Sequence, residues 1–339
     1  MTDYKSLKLI ASSSPHIRSN ENTRSLMLDV IIAMLPALAV AVWKFGFRAL
    51  VGTLVSVAGC MFFEWGYRAM MHKDNTVPDL SAVVTGMLIA FVCPVQLPIW
   101  TMLIGDFFAI IVVKQLFGGI GKNFLNPALA ARAFLLASYS VLMTSWIDPN
   151  TSPVKAAIFG TNVDVVTSST PMAFLHANDL AGLKETGIDV VDMLVGNIGG
   201  SMGEISAVAL LLGGAYLLLR TVISWQIPVS YIGTVALLTF LFPRGNSPME
   251  WMLYNIFGGG LMLGAFFMAT DYVSSPVTKK GQLIFGLGCG LITVFIRYFG
   301  SYPEGVCYSI LVMNCCVWLI DKISKPVMYG AKKKEADAK

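Results

Sequence analysis

The chain has 339 residues, 55% of them hydrophobic and 13% charged, with a formal net charge of +4. Soluble domains carry about 25% charged residues, so a water-soluble globule is excluded and lipid is the expected solvent. The small net charge gives no ground for a nucleic-acid partner, and none is expected.

The first 24 residues are polar and form an N-terminal segment. Apolar runs of near membrane-spanning length follow at 25–43, 47–71, 80–95, 98–117 and 124–143, then at 200–219, 226–243, 251–270, 281–299 and 304–323. Ala37-Leu38-Ala39 has the style of a signal-peptidase site, but the many later runs make the first one a membrane helix. The third run stops early, at Cys93-Pro94-Val95-Gln96-Leu97-Pro98. The eighth runs from a Gly258-Gly259-Gly260 start into Asp271-Tyr272-Val273-Ser274-Ser275-Pro276. Such interruptions free backbone polar groups that lipid cannot satisfy, so they face protein or a cavity. Matching breaks predict an internal repeat, and five runs per half require the halves to be inverted. The expected fold is an all-α integral membrane protein. It has about ten transmembrane helices in two inverted five-helix repeats with broken helices, plus one extracytoplasmic loop. The first half covers 25–143, the loop 144–199, the second half 200–325 and a basic tail 326–339.

Orientation follows from lysine and arginine, which accumulate in cytoplasmic regions. Most of the 24 basic residues lie inside if both termini are cytoplasmic, including Arg24, Arg68, Lys73, Lys122, Lys279 and Lys332-Lys333-Lys334. The loop at 144–199 is then outside. Trp43, Trp100, Trp146, Trp225 and Trp251 fall near segment ends and read as interfacial belt residues. Six cysteines and three histidines show no C-x-x-C pair and no metal-ligand spacing, so the cysteines read as small buried hydrophobes and no metal is expected on this chain alone.

The loop is too long for a connector. It contains a β-prone run from Val163 to Thr167, then Ser168-Ser169-Thr170-Pro171. Proline suits the first turn of a helix, and small hydroxyl residues before it suit a cap whose free N–H groups accept an anion. An ordinary cap is the plainer alternative.

Asp29, Glu64, Asp106, Glu204, Asp271 and Glu304 lie in or beside apolar runs. An acid in the membrane costs about 2.5–3.5 kcal/mol on insertion scales, so such groups face the bundle interior or water. Asp271 follows a helix break and is the first candidate for a cation path, followed by Asp106, with Glu64 and Asp29 after them. Some of these acids are equally explained as structural partners, for example of Arg132. Gly118-Gly119-Ile120-Gly121 is not a dinucleotide fingerprint, and no strand precedes it. Lys122, Asn123 and Asn126 read either as a capped helix entry or as a functional polar cluster. On pattern alone, an inverted-repeat channel or transporter for a small solute, without a redox role, fits these features too.

The segment from Asp164 through Thr167, Ser168 and Ser169 to Thr170 resembles the Asp-x-x-(Ser/Thr)-Gly-Ala-Thr pattern recognised by flavin transferases. Asp164, Thr167 and Thr170 match, whereas Ser168 and Ser169 stand where Gly and Ala are usual. Ser14-Pro15-His16, the run from Gly118 to Ala128, Met268-Ala269-Thr270-Asp271 and Tyr302-Pro303-Glu304-Gly305-Val306 resemble signatures of the RnfD/NqrB family of membrane flavoprotein subunits. The length favours the Rnf side of that family. The resemblance implies covalent FMN esterified to Thr170 and a bound riboflavin. It also implies a flavin environment around Lys122, Asn123 and Asn126, whose side chains can bond flavin edges and balance a flavin anion. The implied role is one redox station of a bacterial inner-membrane complex that oxidises ferredoxin, reduces NAD⁺ and exports Na⁺ or H⁺. The implied partners are the other Rnf subunits, one of them carrying FMN, and a flavin transferase for maturation. No complete active site is expected on this chain alone.

Overall fold

A computed structural model describes residues 21–147, 170–245 and 247–325. All regular elements among them are helical. Helix α1 (Thr23–Phe45) is 23 residues long and α2 (Phe47–Met70) 24. At about 1.5 Å per residue each exceeds a 30 Å hydrocarbon core. Gly46, at φ 77°, makes the single-residue turn between them, a conformation that disfavours any side chain. Helix α3 (Ser81–Val92) begins after Leu80, held left-handed at φ 64°, and Pro94 stops it. Helix α4 (Ile99–Phe107) continues into a wide-turned stretch, Phe108–Gln115, where the Leu116 N–H donates to Ile111 O five residues back. Helices α5 (Pro127–Ser138) and α6 (Ser140–Met143) follow.

Three short helices occupy the described part of the long loop: α7 (Pro171–His176), α8 (Leu180–Glu185) and α9 (Val190–Val195). The second half comprises α10 (Ala207–Leu219), α11 (Gln226–Leu241), α12 (Pro248–Phe257), α13 (Leu261–Leu263, prolonged by the wide-turned Gly264–Met268), α14 (Lys279–Phe299) and α15 (Val306–Ile323). Among the described residues, α1, α2, α14 and α15 are long and apolar enough to cross a membrane, and α12 with α13 forms a fifth candidate bent by 59°. Helices α3, α5, α10 and α11 are apolar but shorter. Large apolar side chains such as Leu54, Phe62, Leu212, Leu237, Phe295 and Trp318 are exposed, as lipid contact requires.

The packing order repeats. In the first half α2 lies on α3 and α4; in the second, α11 lies on α12 and α14. Across the halves, α1 packs on α10 and α5 on α15. Helices α3 and α13 both start after a left-handed residue, Leu80 and Gly260 (φ 68°) respectively. An arginine serves the freed carbonyls in each half. Arg48 donates to Val95 O (2.9 Å) and Gln96 O (3.0 Å). Arg297 donates to Asn255 O (2.5 Å), Gly258 O (3.0 Å) and Glu304 O (3.0 Å).

Three expectations change. The glycine triplet lies in the middle of the eighth segment, between α12 and α13, because Pro248 starts the helix earlier. The sixth segment is not helical from residue 200: the Met202 and Gly203 N–H groups are drawn to Cys93 O (3.2 Å) and Phe91 O (2.9 Å), so the chain there closes the end of α3. Trp251 is 1% exposed and donates to Tyr298 OH (2.8 Å), so it belongs to the core and not to an interfacial belt.

Candidate functional site

A cavity of about 390 Å³ opens between the halves, within the size range of small-molecule sites. Its apolar wall comes from Leu26 and Val30 of α1, Val84 and Leu88 of α3, Leu217 of α10, and Phe266 and Phe267 after α13. Lys114, Asn123, Asn126 and Asp271 are its chief polar groups. The composition suits a flat, mostly apolar ligand with a few polar edges.

The polar groups are held by the helix breaks. The Asn126 Oδ1 accepts from the Ala128 N–H (3.0 Å) and caps α5, while its Nδ2 donates to Met268 O (3.2 Å) at the end of the second half-helix. Asn314 donates to Ser274 O (2.9 Å) and accepts from the Asn126 N–H (3.2 Å) once its amide is oriented to suit its neighbours. Ser274 Oγ in turn donates to Asp271 Oδ2 (3.0 Å). Asn123 donates to Leu125 O (3.0 Å). Asn123, Asn126 and Asp271, three of the expected residues, therefore share one wall system.

Lys122 does not line the cavity. It is exposed and folds over Gly118, where an added Cβ would meet its Cδ at 2.7 Å. The cavity's ammonium is Lys114. The wide turn of α4 places Lys114 inward, as such turns often do at functional sites. Its Nζ donates to Glu64 Oε2 (2.7 Å) and Ser81 Oγ (2.6 Å), and Thr76 Oγ1 donates to Glu64 Oε1 (2.5 Å). Lys114 is the residue that sequence reasoning missed. The signal was there: a single lysine following six apolar residues, Phe108 to Val113, with no other charge in that stretch.

The other acids sit apart from the cavity. Asp29 accepts from Tyr216 OH (2.8 Å) and Arg220 Nη2 (3.2 Å), joining α1 to α10. Asp106 accepts from Ser56 Oγ (2.7 Å) deep between α2 and α4, and its Oδ2 has no partner among the described residues. Glu304 pairs with Arg132. Glu204 accepts from the Ser201 N–H (3.0 Å).

Helix α7, which Thr170 opens, reaches the other end of the α13 half-helix through Met172. The Thr170 Oγ1 accepts from the Ala173 N–H (3.3 Å) and caps α7, as its position before Pro171 predicts. The residue is 6% exposed. Met172 lies over the glycine break: a Cβ added at Gly258 would stand 3.0 Å from its Sδ. His176 Nε2 is 2.8 Å from Gly300 O, which fastens the far end of α7. Asp164, Thr167, Ser168 and Ser169 lie outside the described residues. A hydroxyl at the start of a well-packed turn is a chemically suitable point for a phosphoester. The eight residues from Leu261 to Met268 thus have the Thr170 helix at one end and the cavity at the other. Their rise is roughly 12 Å at 1.5 Å per residue.

Residues 10–330 match the NQR2, RnfD, RnfE family. The chain is 48% identical over 335 residues to the D component of the Na⁺-translocating ferredoxin:NAD⁺ oxidoreductase complex of Acetobacterium woodii, covering 98% of this chain and 99% of the relative. It is 40% identical over 327 residues to the D component of the proton-translocating ferredoxin:NAD⁺ oxidoreductase complex of Clostridium ljungdahlii, covering 95% and 96%. It is 33% identical over 344 residues to the D component of the ion-translocating oxidoreductase complex of Actinobacillus succinogenes, covering 94% and 97%. The chain belongs to the NQR2, RnfD, RnfE family.

Proposed function

We propose that this chain is the membrane flavoprotein subunit of an ion-translocating ferredoxin:NAD⁺ oxidoreductase in a bacterial inner membrane, working with the other subunits of that complex. In this reading ten segments cross the membrane as two inverted halves, with both termini cytoplasmic and the Thr170 loop outside. FMN is esterified to Thr170 by a flavin transferase, and riboflavin occupies the cavity walled by Asn123, Asn126 and Asp271. When bound, the flavins supply the one-electron chemistry that no side chain here can perform.

The observation that carries the proposal is the half-helix Leu261–Met268, with the Thr170 helix packed against its start and the cavity at its end. The chain's own groups have positional tasks. Asn126 ties α5 to Met268 and so fixes the cavity floor. Phe266 and Phe267 offer apolar wall that keeps water out. Thr170 supplies the ester oxygen; its burial means that the loop must open for the transferase and then close over the product. A channel for a small solute has no use for this modification site.

The test is co-expression with a flavin transferase, denaturing electrophoresis and in-gel fluorescence of the wild type and Thr170→Ala. The wild-type band fluoresces and the variant does not. Equal fluorescence in both, or none in either, contradicts the covalent site.

A further inference from the structure

The seam between α11 and α14 changes width along its length, and the sequence sets both widths. Gly286 and Gly290, four residues apart on α14, let α11 approach closely: an added Cβ would meet Ile227 O at 2.8 Å at the first and Thr234 Cβ at 2.6 Å at the second. The next turns of α14 carry Val294, Phe295, Tyr298 and Phe299 instead. There the two helices leave a groove of about 650 Å³, walled by Leu238 and Leu241 of α11 and by Leu291 and Phe295 of α14. Leu241, Phe295 and Phe299 are exposed, so the groove faces lipid and not the bundle interior. From Leu291 to Phe299 it runs roughly 12 Å at 1.5 Å per residue. That is most of the ~15 Å in half of a 30 Å hydrocarbon core.

One charge stands at the wide end. Arg244, which follows α11 after Phe242 and Pro243, is half-buried and lines the groove. Its guanidinium lies 4.3 Å from the Tyr298 ring centroid and 5.3 Å from that of Phe299, and Nη1 donates to Tyr298 O (2.9 Å). Stacking and hydrogen bond together fix the plane of the group. Among the described residues no carboxylate pairs with Arg244. A guanidinium has five N–H donors, and one bond to a carbonyl leaves most of them for a further acceptor. An unneutralised cation at the head of an apolar groove one leaflet long matches the polarity of a phospholipid, with phosphate at one end and acyl chain along the rest. A protein helix, about 10 Å across, would lie over such a seam and could not follow it down to where α11 and α14 touch. A single acyl chain can.

We propose that the α11–α14 groove binds one anionic phospholipid, its phosphate on the Arg244 guanidinium and one acyl chain along Leu291 to Phe299. The site is independent of the flavin sites. Tyr298 carries its effect inward, because its OH donates to Phe242 O (2.8 Å) and accepts from Trp251 Nε1 (2.8 Å) on α12. The lipid thereby braces the first half of the broken span from outside.

The test uses the whole complex in detergent, stripped of lipid by detergent exchange. It is titrated with phosphatidylglycerol carrying a diazirine in one acyl chain, irradiated and digested, and the labelled peptides of this chain are read by mass spectrometry. Label concentrates on 238–244 and 291–299. Excess unlabelled phosphatidylglycerol displaces it, and the same excess of phosphatidylcholine does not. Arg244→Gln lowers the labelling about fivefold, the scale for one basic residue beside anionic lipid, while Arg244→Lys keeps most of it. Equal displacement by phosphatidylcholine, or labelling unchanged in Arg244→Gln, makes the groove ordinary lipid contact and overturns the site. Absence of label from both peptides of the wild type, with label elsewhere in the complex, means that another subunit covers the groove and overturns it too. The competition arm needs the wild type alone, so it decides the matter even if Arg244→Gln fails to assemble.

Discussion

Arg297→Gln is the perturbation that most directly probes how the broken span is held. The guanidinium donates to three buried or half-buried carbonyls, Asn255 O, Gly258 O and Glu304 O, at 2.5–3.0 Å. Each orphaned buried acceptor costs about 1–3 kcal/mol, so the sum runs to roughly 3–9 kcal/mol. Removing one partner of a buried charged network typically costs about 3–5 kcal/mol once neighbours relax, and the lower part of the range is the expectation. Arg297→Lys keeps the charge but not the planar fork, so it recovers part of the loss. The assay is denaturant unfolding of the purified chain in detergent, alongside protease sensitivity of the α7 region. Met172 sits on Gly258 and Gly259, so loosening the break must also release α7. A loss under about 1 kcal/mol, the size of a single ordinary hydrogen bond, with α7 still protected, would refute the reasoning.

Asn126→Ala removes a cap, worth about 0.5–2 kcal/mol, and the tie to Met268 O; non-covalent flavin measured after acid extraction should fall while covalent fluorescence persists. Gly86→Ala should destabilise by about 1–3 kcal/mol of overpacking, because the new Cβ would stand 2.7 Å from Val57 Cα and 2.9 Å from Ser56 O, both backbone; denaturant midpoints measure it. The Asn197 amide and the Asp189 N–H hold the Asp192 carboxyl below the usual carboxylate range. Its contribution is therefore complete above about pH 4 and is lost as pH falls through the lowered value. Hydrogen-exchange protection over Val190–Val195, measured relative to the intrinsic rate at each pH, should fall in that acid window in the wild type, and Asp192→Asn should show the lower protection at neutral pH already.

Much of this architecture was legible because its punctuation is chemical. Pro94, Asn126-Pro127 and Gly258–Gly260 mark where a helix must stop, start or break, and the structure does so there. By sequence, Asn123 and Asn126 belong to a flavin environment and Asp271 to a cation path; that all three line one cavity was not legible, since residues so far apart in sequence carry no spacing signal. Lys114 was hidden for a different reason. Its inward placement depends on the wide turn of α4, and hydrophobic periodicity assumes regular turns. Trp251 was misplaced because nearness to a segment end says nothing of which way the ring faces; Tyr298 draws it inward.

Two flavins on one chain, held in different ways at the two ends of a half-helix, is the central claim. The direct measurement is flavin content of the purified complex, separated into acid-extractable and protein-retained fractions, for wild type, Thr170→Ala and Asn126→Ala. Thr170→Ala should lose this chain's retained flavin and keep the extractable one, and Asn126→Ala should do the reverse. Loss of both fractions together in either well-assembled variant, or of neither, contradicts the account.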